Sequence, residues 1–339
     1  MKGIILAAGY GTRLRPVTYT LPKPLVPLCN RPLIGWAVES YLAAGVRDLI
    51  VNLHHLPAPL EAYLRAEYAY ADRASFFFSF EQEILGTGGA IRRVRPQLEG
   101  EEDFFLVNGD TVQFPPLDKL ADARRDRDAL AALTLRHPPE GDRFTAVFAE
   151  DGFINGFREG RGEALMFSGS HCISTRVFDL LPDREFSGIV GDVYEQRGDE
   201  SLAAVIDDDA LWFDIGTPQR YLTASRAFLD AMRRGALAPP QGSRVQGDSL
   251  VHETANMSQS FSLSTVGAGS IVKGEVIDCV IWNDCTIADG ARLESCIVAH
   301  GVEIPRDLEL RNALVCRDDA AIPDDTTYER RDGLVLLPL

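Results

Sequence analysis

Residues 1–28 read MKGIILAAGYGTRLRPVTYTLPKPLVPL. An unbroken apolar run, residues 4–8, leads into Gly9 and Gly11 and then into Arg13 and Arg15. Such a run, with no polar alternation and glycines behind it, predicts a strand buried on both faces. The glycines let the backbone turn tightly and bring N–H groups close to an anion. Residues 1–38 hold no Asp or Glu but five bases, Lys2, Arg13, Arg15, Lys23 and Arg31, in a 339-residue chain with formal charge −16. So cationic a loop in so acidic a protein reads as a site for a small anion. The overall charge argues against a nucleic-acid partner or an anionic membrane surface.

Outward from that strand, a helix is expected over 33–44, stopped by Gly45, and then a strand at 49–53. Residues 76–80 and 104–107 read as further strands, with helices near 58–66 and 117–123. Strands and helices in alternation predict an α/β fold, a Rossmann-like mixed, mostly parallel sheet covered on both faces. Ligands of such sheets sit beyond the C-terminal ends of the strands. A last helix over 217–234 closes this first domain, placed at 1–234, and the Pro/Gly-rich stretch 235–250 reads as a linker. Beyond it, STVGAGSIVKGEVIDCVIWNDCTIADGARLESCIVAHGVEI (264–304) places aliphatics at Val266, Ile271, Val276, Ile281, Ile287, Leu293, Val298 and Ile304. A step of five or six residues fits neither helix nor alternating strand. It fits a parallel β-helix, assigned to 251–325, with a C-terminal tail at 326–339.

No apolar stretch approaches the ~20 residues of a membrane span. The first strand follows a single Lys and breaks at glycines, unlike a secretory signal, so a cytoplasmic location is expected. The six cysteines form no C-x-x-C pair and no metal spacing and read as free buried thiols.

Three further stretches carry chemistry. FFLVNGDT (104–111) ends a strand in Asn108-Gly109-Asp110, and LWFDIGTPQRY (211–221) sets Asp214 before Gly216-Thr217-Pro218. Two such carboxylates suit a hard divalent cation beside substrate phosphates, the usual mode for magnesium. EILGTGGAI (83–91) has Gly86, Gly88 and Gly89 just after a strand, either for close approach of a flat base or simply to open a helix. The first loop has Leu14 where a Rossmann fingerprint needs its third glycine, and it has no G-K-[ST], so it is neither a dinucleotide site nor a P-loop.

Taken in order over roughly residues 1–230, L-A-A-G-x-G-T-R-L-R-P-x-T, L-P-K-P-L-V-P, L-G-T-G-G-A, V-N-G-D and W-F-D-I-G-T-P-x-x-Y resemble the sugar-1-phosphate nucleotidylyltransferases, the NDP-sugar pyrophosphorylases. The C-terminal pattern resembles the left-handed β-helix of hexapeptide repeats that many members carry. The resemblance implies that Leu6, Ala7, Ala8, Gly9, Gly11 and Thr12 cradle the nucleotide, with Glu81, Gly88, Gly89 and Asn108 bordering it. It implies that Arg13 holds the departing phosphates, that Lys23 neutralises the reacting ones, and that Asp110 and Asp214 hold Mg²⁺. Arg13, Lys23 and Asp110 are then the catalytic set, and Gly169 in SGSHCIS faces the sugar. The partners implied are an NTP, GTP favoured, and a sugar 1-phosphate, mannose 1-phosphate favoured. A uridylyltransferase for another hexose or amino-sugar 1-phosphate is the runner-up.

Two readings of other classes are a non-catalytic regulatory subunit and acyl transfer by the β-helix with His300 as base. The blander role for the β-helix is self-association into a homo-oligomer. One family block departs. Where relatives carry Glu-Lys-Pro, this chain has GFREGRGEALMFSG (156–169) with no lysine, leaving Arg158 or Arg161 to meet the sugar phosphate. His171 reads as a packed or surface histidine, and 99–103 (EGEED) and 207–209 (DDD) as solvated. Residues 187–191 are left unassigned.

Overall fold

The computed structural model describes residues 1–70, 73–139, 144–197, 201–258 and 260–339. In chain order the elements are β1 (Lys2–Leu6), the short ladder β2 (Pro27–Leu28) and β3 (Arg31–Pro32), α1 (Leu33–Ala43), β4 (Asp48–Leu53), α2 (Pro57–Leu64), β5 (Ser75–Phe80) and α3 (Gly86–Arg93). They continue through β6 (Asp103–Asn108), β7 (Thr111–Gln113), α4 (Leu117–Asp126), β8 (Ala131–Arg136), β9 (Ala146–Glu150), β10 (Phe153–Phe157) and β11 (Glu163–Ser174). Then come α5 (Ile189–Asp192), β12 (Leu202–Ile206), β13 (Trp212–Asp214) and α6 (Pro218–Arg233), followed by short strands given below by residue. The chain divides into two compact units, Met1–Gly9 with Ile34–Trp212, and Tyr10–Leu33 with Phe213–Leu339.

The first unit is built on a nine-stranded sheet in the order β5-β4-β1-β6-β11-β8-β12-β10-β9. All strands but β10 and β11 run one way, as a mostly parallel sheet requires. Ile4 and Ile5 point to opposite faces and both are buried, which is why β1 needs no polar alternation. Leu6 registers with Asn52 of β4 on one side and with Asn108 of β6 on the other. The chain leaves β1 through α1 toward β4 and later arrives at β6 on the opposite flank. The C-terminal ends of β1 and β6 therefore form the topological switch point where such sheets bind ligands. Helix α1 lies close on β1: a Cβ on Gly3 would come within 2.8 Å of the Tyr41 ring, and Tyr41 Oη donates to Ile4 O at 2.9 Å. Gly45, at φ +75°, stops α1 as expected.

One sequence expectation in this unit changes, and a second is made specific. The EGEED stretch ends in a buried residue: Asp103 opens β6 at 3% exposed, and Arg124 Nη2 of α4 donates to its Oδ2 at 2.6 Å. A carboxylate there is tolerated because a guanidinium from another element meets it. His171 is packed, 2% exposed, with Nδ1 2.9 Å from Tyr194 Oη. Burial lowers its pKa from 6.5 to about 3. The folded chain thus refuses a proton that the unfolded chain accepts between those values. Stability is fully present above pH 6.5 and falls as pH drops toward 3, at up to about 1.4 kcal/mol per pH unit from this group. Urea midpoints measured from pH 7 to 4 should fall more steeply for the wild type than for His171→Gln.

In the second unit, parallel ladders stack three short strands per coil. Thr265 pairs with Val280 and Val280 with Ile297, so one coil takes 15 residues and the next 17. Val266, Val276, Ile281, Ile287, Leu293, Val298 and Ile304 are all buried. Ile271 is the exception to the expected set. It is 39% exposed, and its neighbour Val272 fills the interior, because adjacent strand residues face opposite ways. Cys279, Cys285 and Cys296 line the coil interior as free thiols, each S–H donating to a carbonyl of the coils. Residues 10–33 belong to this unit. Asn30 Nδ2 donates to Val266 O at 3.0 Å, and Tyr221 Oη of α6 donates to Pro27 O. Trp282 Nε1 donates to that same Tyr221 oxygen at 2.9 Å. The stretch read as a linker, 235–250, contains strand Ser243–Gln246 and meets Ser249–His252, antiparallel to it. The tail holds Leu334–Pro338, antiparallel to Ala313–Arg317. Among the described residues no helix is long and apolar enough to cross a membrane.

Candidate active site

In the first unit, the residues after β1 are fixed by a buried hydrogen-bond chain. Ala7 N–H donates to Asn52 Oδ1 at 2.6 Å, and Asn52 Nδ2 donates to Glu81 Oε1 at 2.8 Å. Glu81 Oε2 accepts from Leu85 N–H at 3.0 Å, which ties in the entry to α3. Glu81 is 5% exposed and is held by an amide and a backbone N–H, so its acceptor capacity is not used up. On the other flank, Gly109 N–H donates to Leu6 O at 2.8 Å. A Cβ there would come within 2.8 Å of Ile5 Cγ2, so β6 leaves the sheet tight against β1 and delivers Asp110. A pocket of about 210 Å³ results. Leu6, Ala8, Gly9, Glu81, Asn108 and Asp110 line it, all of them expected from sequence, together with Asn52, Ile84, Gly86 and Thr87. Asn52 was missed; a single Asn inside the otherwise apolar run LIVNL (49–53) was its only signal.

In the second unit, Asp214 is ringed by bases. Arg220 Nη1 lies 3.1 Å from Oδ2, Arg13 Nη1 3.6 Å from Oδ2, and Lys23 Nζ 3.9 Å from Oδ1. Three cations on one carboxylate leave a local excess of positive charge. Lys23 is buried, with 5% of its side chain exposed, whereas the Arg13 side chain is 62% exposed. Glycines make the crowding possible. Gly11, at φ +62°, would set a Cβ 2.7 Å from Lys23 Cβ, and a side chain at Gly216 would overlap the Arg13 guanidinium. Thr217 Oγ1 caps α6 by accepting from Arg220 N–H at 3.3 Å. Thr12 and Arg13 also line a second-unit cavity of about 500 Å³ with Thr326 and Thr327. Arg220 was missed, although it stands inside the TPQR motif six positions after Asp214.

Gly88, Gly89, Gly169 and Arg158 are not among the residues lining that pocket. Gly88 and Gly89 sit on α3, facing the segment 185–187: Gly88 N–H donates to Ser187 O at 2.8 Å, and a Cβ on Gly88 would come 2.6 Å from Ser187 Oγ. Their bareness admits that segment, which gives 187–191 a packing role. Gly169, at φ +95° in a bulge of β11, presses on Asn108; a Cβ there would come 2.6 Å from Nδ2. The structure does not bring Arg158 to this place. It lies on the turn between β10 and β11, lining a separate cleft of about 370 Å³, with Nε 3.8 Å from Glu195. β11 begins beside β9 as well as beside β8, so the strands from β8 to β11 close on one another, and the turn opens onto that separate cleft. Asp208 is engaged with His137, accepting from its N–H at 2.8 Å and meeting Nδ1 at 2.7 Å. These bonds, with Glu163 on Nε2 at 2.8 Å, raise the His137 pKa. His300 is exposed, with Nδ1 3.7 Å from Asp284.

The model of the nucleotidyl transferase family matches residues 2–231. The chain belongs to that family. Residues 247–328 of this nucleotidyl transferase match the GlmU-like C-terminal hexapeptide model. The chain is similar to mannose-1-phosphate guanyltransferase of Yarrowia lipolytica, 30% identical over 341 residues, covering 96% of this chain and 93% of that one. It is also similar to mannose-1-phosphate guanylyltransferase 1 of Arabidopsis thaliana, 28% identical, covering 93% and 86%. Among solved structures, HddC from Yersinia pseudotuberculosis complexed with GMP-PN matches with a TM-score of 0.56 and 25% identity, over 67% of this chain and 99% of that one.

Proposed function

We propose that this nucleotidyl transferase joins the GMP part of GTP to mannose 1-phosphate, releasing pyrophosphate, with Mg²⁺ as its ion. The observation that most supports this is the pocket at the β1/β6 switch point, where the loop after β1, Glu81, Asn108 and Asp110 share one cavity. An oxygen of the sugar phosphate attacks the α-phosphorus in line, the α–β anhydride breaks, and its electrons leave with pyrophosphate. The attacking phosphate is already ionised, so no side chain has to take a proton. The work of the protein is to position two anions and offset their charge. Arg13 and Lys23 are the cations proposed to meet the polyphosphate.

The donor set suits magnesium. Among the described residues no three His, Cys, Asp or Glu side chains group closely enough to cage a metal. Asp110 and Asp214, the carboxylates proposed as ligands, supply hard oxygens of the kind that hold magnesium singly or in pairs beside phosphates. When bound, Mg²⁺ neutralises phosphate oxygens and draws charge from the α-phosphorus.

Guanine is favoured by the chemistry of Glu81. An ionised carboxylate only accepts hydrogen bonds, and guanine offers N1–H beside its amino group, whereas uracil offers one N–H. Relatives named for guanylyl transfer to mannose 1-phosphate and the GMP-PN complex point the same way. The test is pyrophosphate release from a panel of NTPs and sugar 1-phosphates. GTP with mannose 1-phosphate should lead, EDTA should stop it, and Glu81→Gln should lower kcat/KM for GTP by at least about tenfold while that for UTP holds or rises. Faster turnover with UTP would select the runner-up, and none with any pair would select the regulatory subunit. A homo-oligomer in the cytoplasm belongs to the same proposal, checked by light scattering and fractionation of the full chain.

A further inference from the structure

The sugar 1-phosphate needs a cation that the sequence motifs do not supply. Arg158 and Arg161, the two candidates from the β10–β11 turn, have side chains 75% and 70% exposed and lie 3.8 Å from Glu195 and 3.7 Å from Glu150. Arg136, at the end of β8, stands in a different setting. It registers with Met166 of β11, and the register then shifts between Phe167 and His171, the bulge that contains Gly169. Inside the bulge, Ser168 Oγ donates to Thr134 O at 3.1 Å and Ser170 Oγ to Thr134 Oγ1 at 2.9 Å. Thr134 and Arg136, two apart on one strand, point to the same face. Trp212 Nε1 donates to Ser168 O at 2.8 Å, and the Arg136 guanidinium lies 5.6 Å from the Trp212 ring. One aromatic ring thus separates Arg136 from the strand position that the family resemblance gives to the sugar, where the glycine leaves no room for a Cβ beside the pocket residue Asn108.

Among the described residues no carboxylate lies within ion-pair distance of the Arg136 guanidinium. Nη1 donates to Ala210 O at 3.2 Å and Nη2 to Asp208 O at 3.4 Å. The Nε–H is buried without a partner among the described residues. The Asp208 carboxylate is turned to His137. A guanidinium held by carbonyls and an aromatic face keeps its charge for an incoming oxyanion, and its fork matches two phosphate oxygens.

We propose that Arg136 receives the phosphate of the sugar 1-phosphate, in place of the lysine this chain lacks. The assignment rests on the proposed function. Arg136→Gln should raise KM for mannose 1-phosphate about 50-fold and leave KM for GTP within twofold. Arg136→Lys, which keeps the charge but loses the fork, should fall between. Calorimetry gives a readout without turnover: the wild type should bind mannose 1-phosphate more tightly than mannose, and Arg136→Gln should lose that preference. An unchanged preference overturns the assignment. So does an equal loss for GTP and sugar phosphate with a lowered melting temperature, the mark of a clamp on residues 208–210. Absence of pyrophosphate release from the wild type would instead sink the proposed function, and calorimetry would still decide for or against Arg136.

Discussion

Asp110→Asn should lower pyrophosphate release by on the order of a thousandfold or more while the melting temperature stays within a few degrees. Gly109 locks the backbone at this point, through its N–H on Leu6 O and an approach to β1 too close for a Cβ, so the substituted side chain leaves from an unchanged position in the pocket. Asn matches Asp in size, and the substitution removes charge alone. A neutral amide offers one weak oxygen where the carboxylate offers two anionic ones. The deficit therefore falls on holding a cation beside the phosphates, not on packing. Two measurements check this: kcat under saturating substrates, and the stabilisation that Mg²⁺ adds to the GTP complex, which should vanish in the variant. A variant that kept a tenth of wild-type turnover would take Asp110 out of the proposed chemistry.

The left half of the first sheet was readable because its signals are local. Residues 4–8 and 104–107 are apolar runs that hold buried parallel strands, and Gly45 marks the end of α1 by its left-handed backbone. The right half hides itself. β11 is twelve residues long, antiparallel to β6 and β8, and interrupted by Ser168, Gly169 and Ser170, which break any simple alternation. Their meaning comes from Thr134 and Asn108, more than thirty positions away in sequence. Asp103 is the same lesson in electrostatics. A stretch of acids looks solvated until Arg124 of another element arrives to pair with its last member. At Ile271-Val272 two adjacent aliphatics offered equal candidates for the interior, and coil stacking made the choice.

The candidate site shows the same division. Ala8, Gly9, Glu81, Asn108 and Asp110 fall in one pocket because their motifs end strands or begin loops at a single sheet edge. Asn52 escaped because its partners, Ala7 N–H and Glu81, belong to different segments. Gly88 and Gly89 were expected beside the base, but their bare faces admit the chain at 185–187. Arg158 stands where the motif order places the missing lysine, and its side chain lines a cleft apart from the pocket at the β1/β6 switch point. Sequence spacing locates a residue along the chain; which cavity it reaches depends on strand order.

Lys23→Met should cut kcat by about 100- to 1000-fold, a loss larger than its effect on stability accounts for. The two effects separate for a physical reason. Lys23 is buried with its Nζ 3.9 Å from Asp214 Oδ1, beyond ordinary hydrogen-bond length, whereas Arg220 supplies the close contact at 3.1 Å. Removing the lysine charge thus leaves Asp214 with Arg220 and Arg13, and Met fills the aliphatic volume while sparing the chain the desolvation of an ammonium group. For a polyphosphate in the proposed reaction the loss runs the other way. A positive charge in a low-dielectric setting acts far more strongly on charge developing between phosphates than an exposed one. Arg13, with a side chain 62% exposed, cannot substitute for it. Single-turnover rates and urea melts on the same preparation separate the two quantities. A large loss of stability with a proportionate loss of rate would make Lys23 a structural partner of Asp214, and full activity would remove it from the catalytic set.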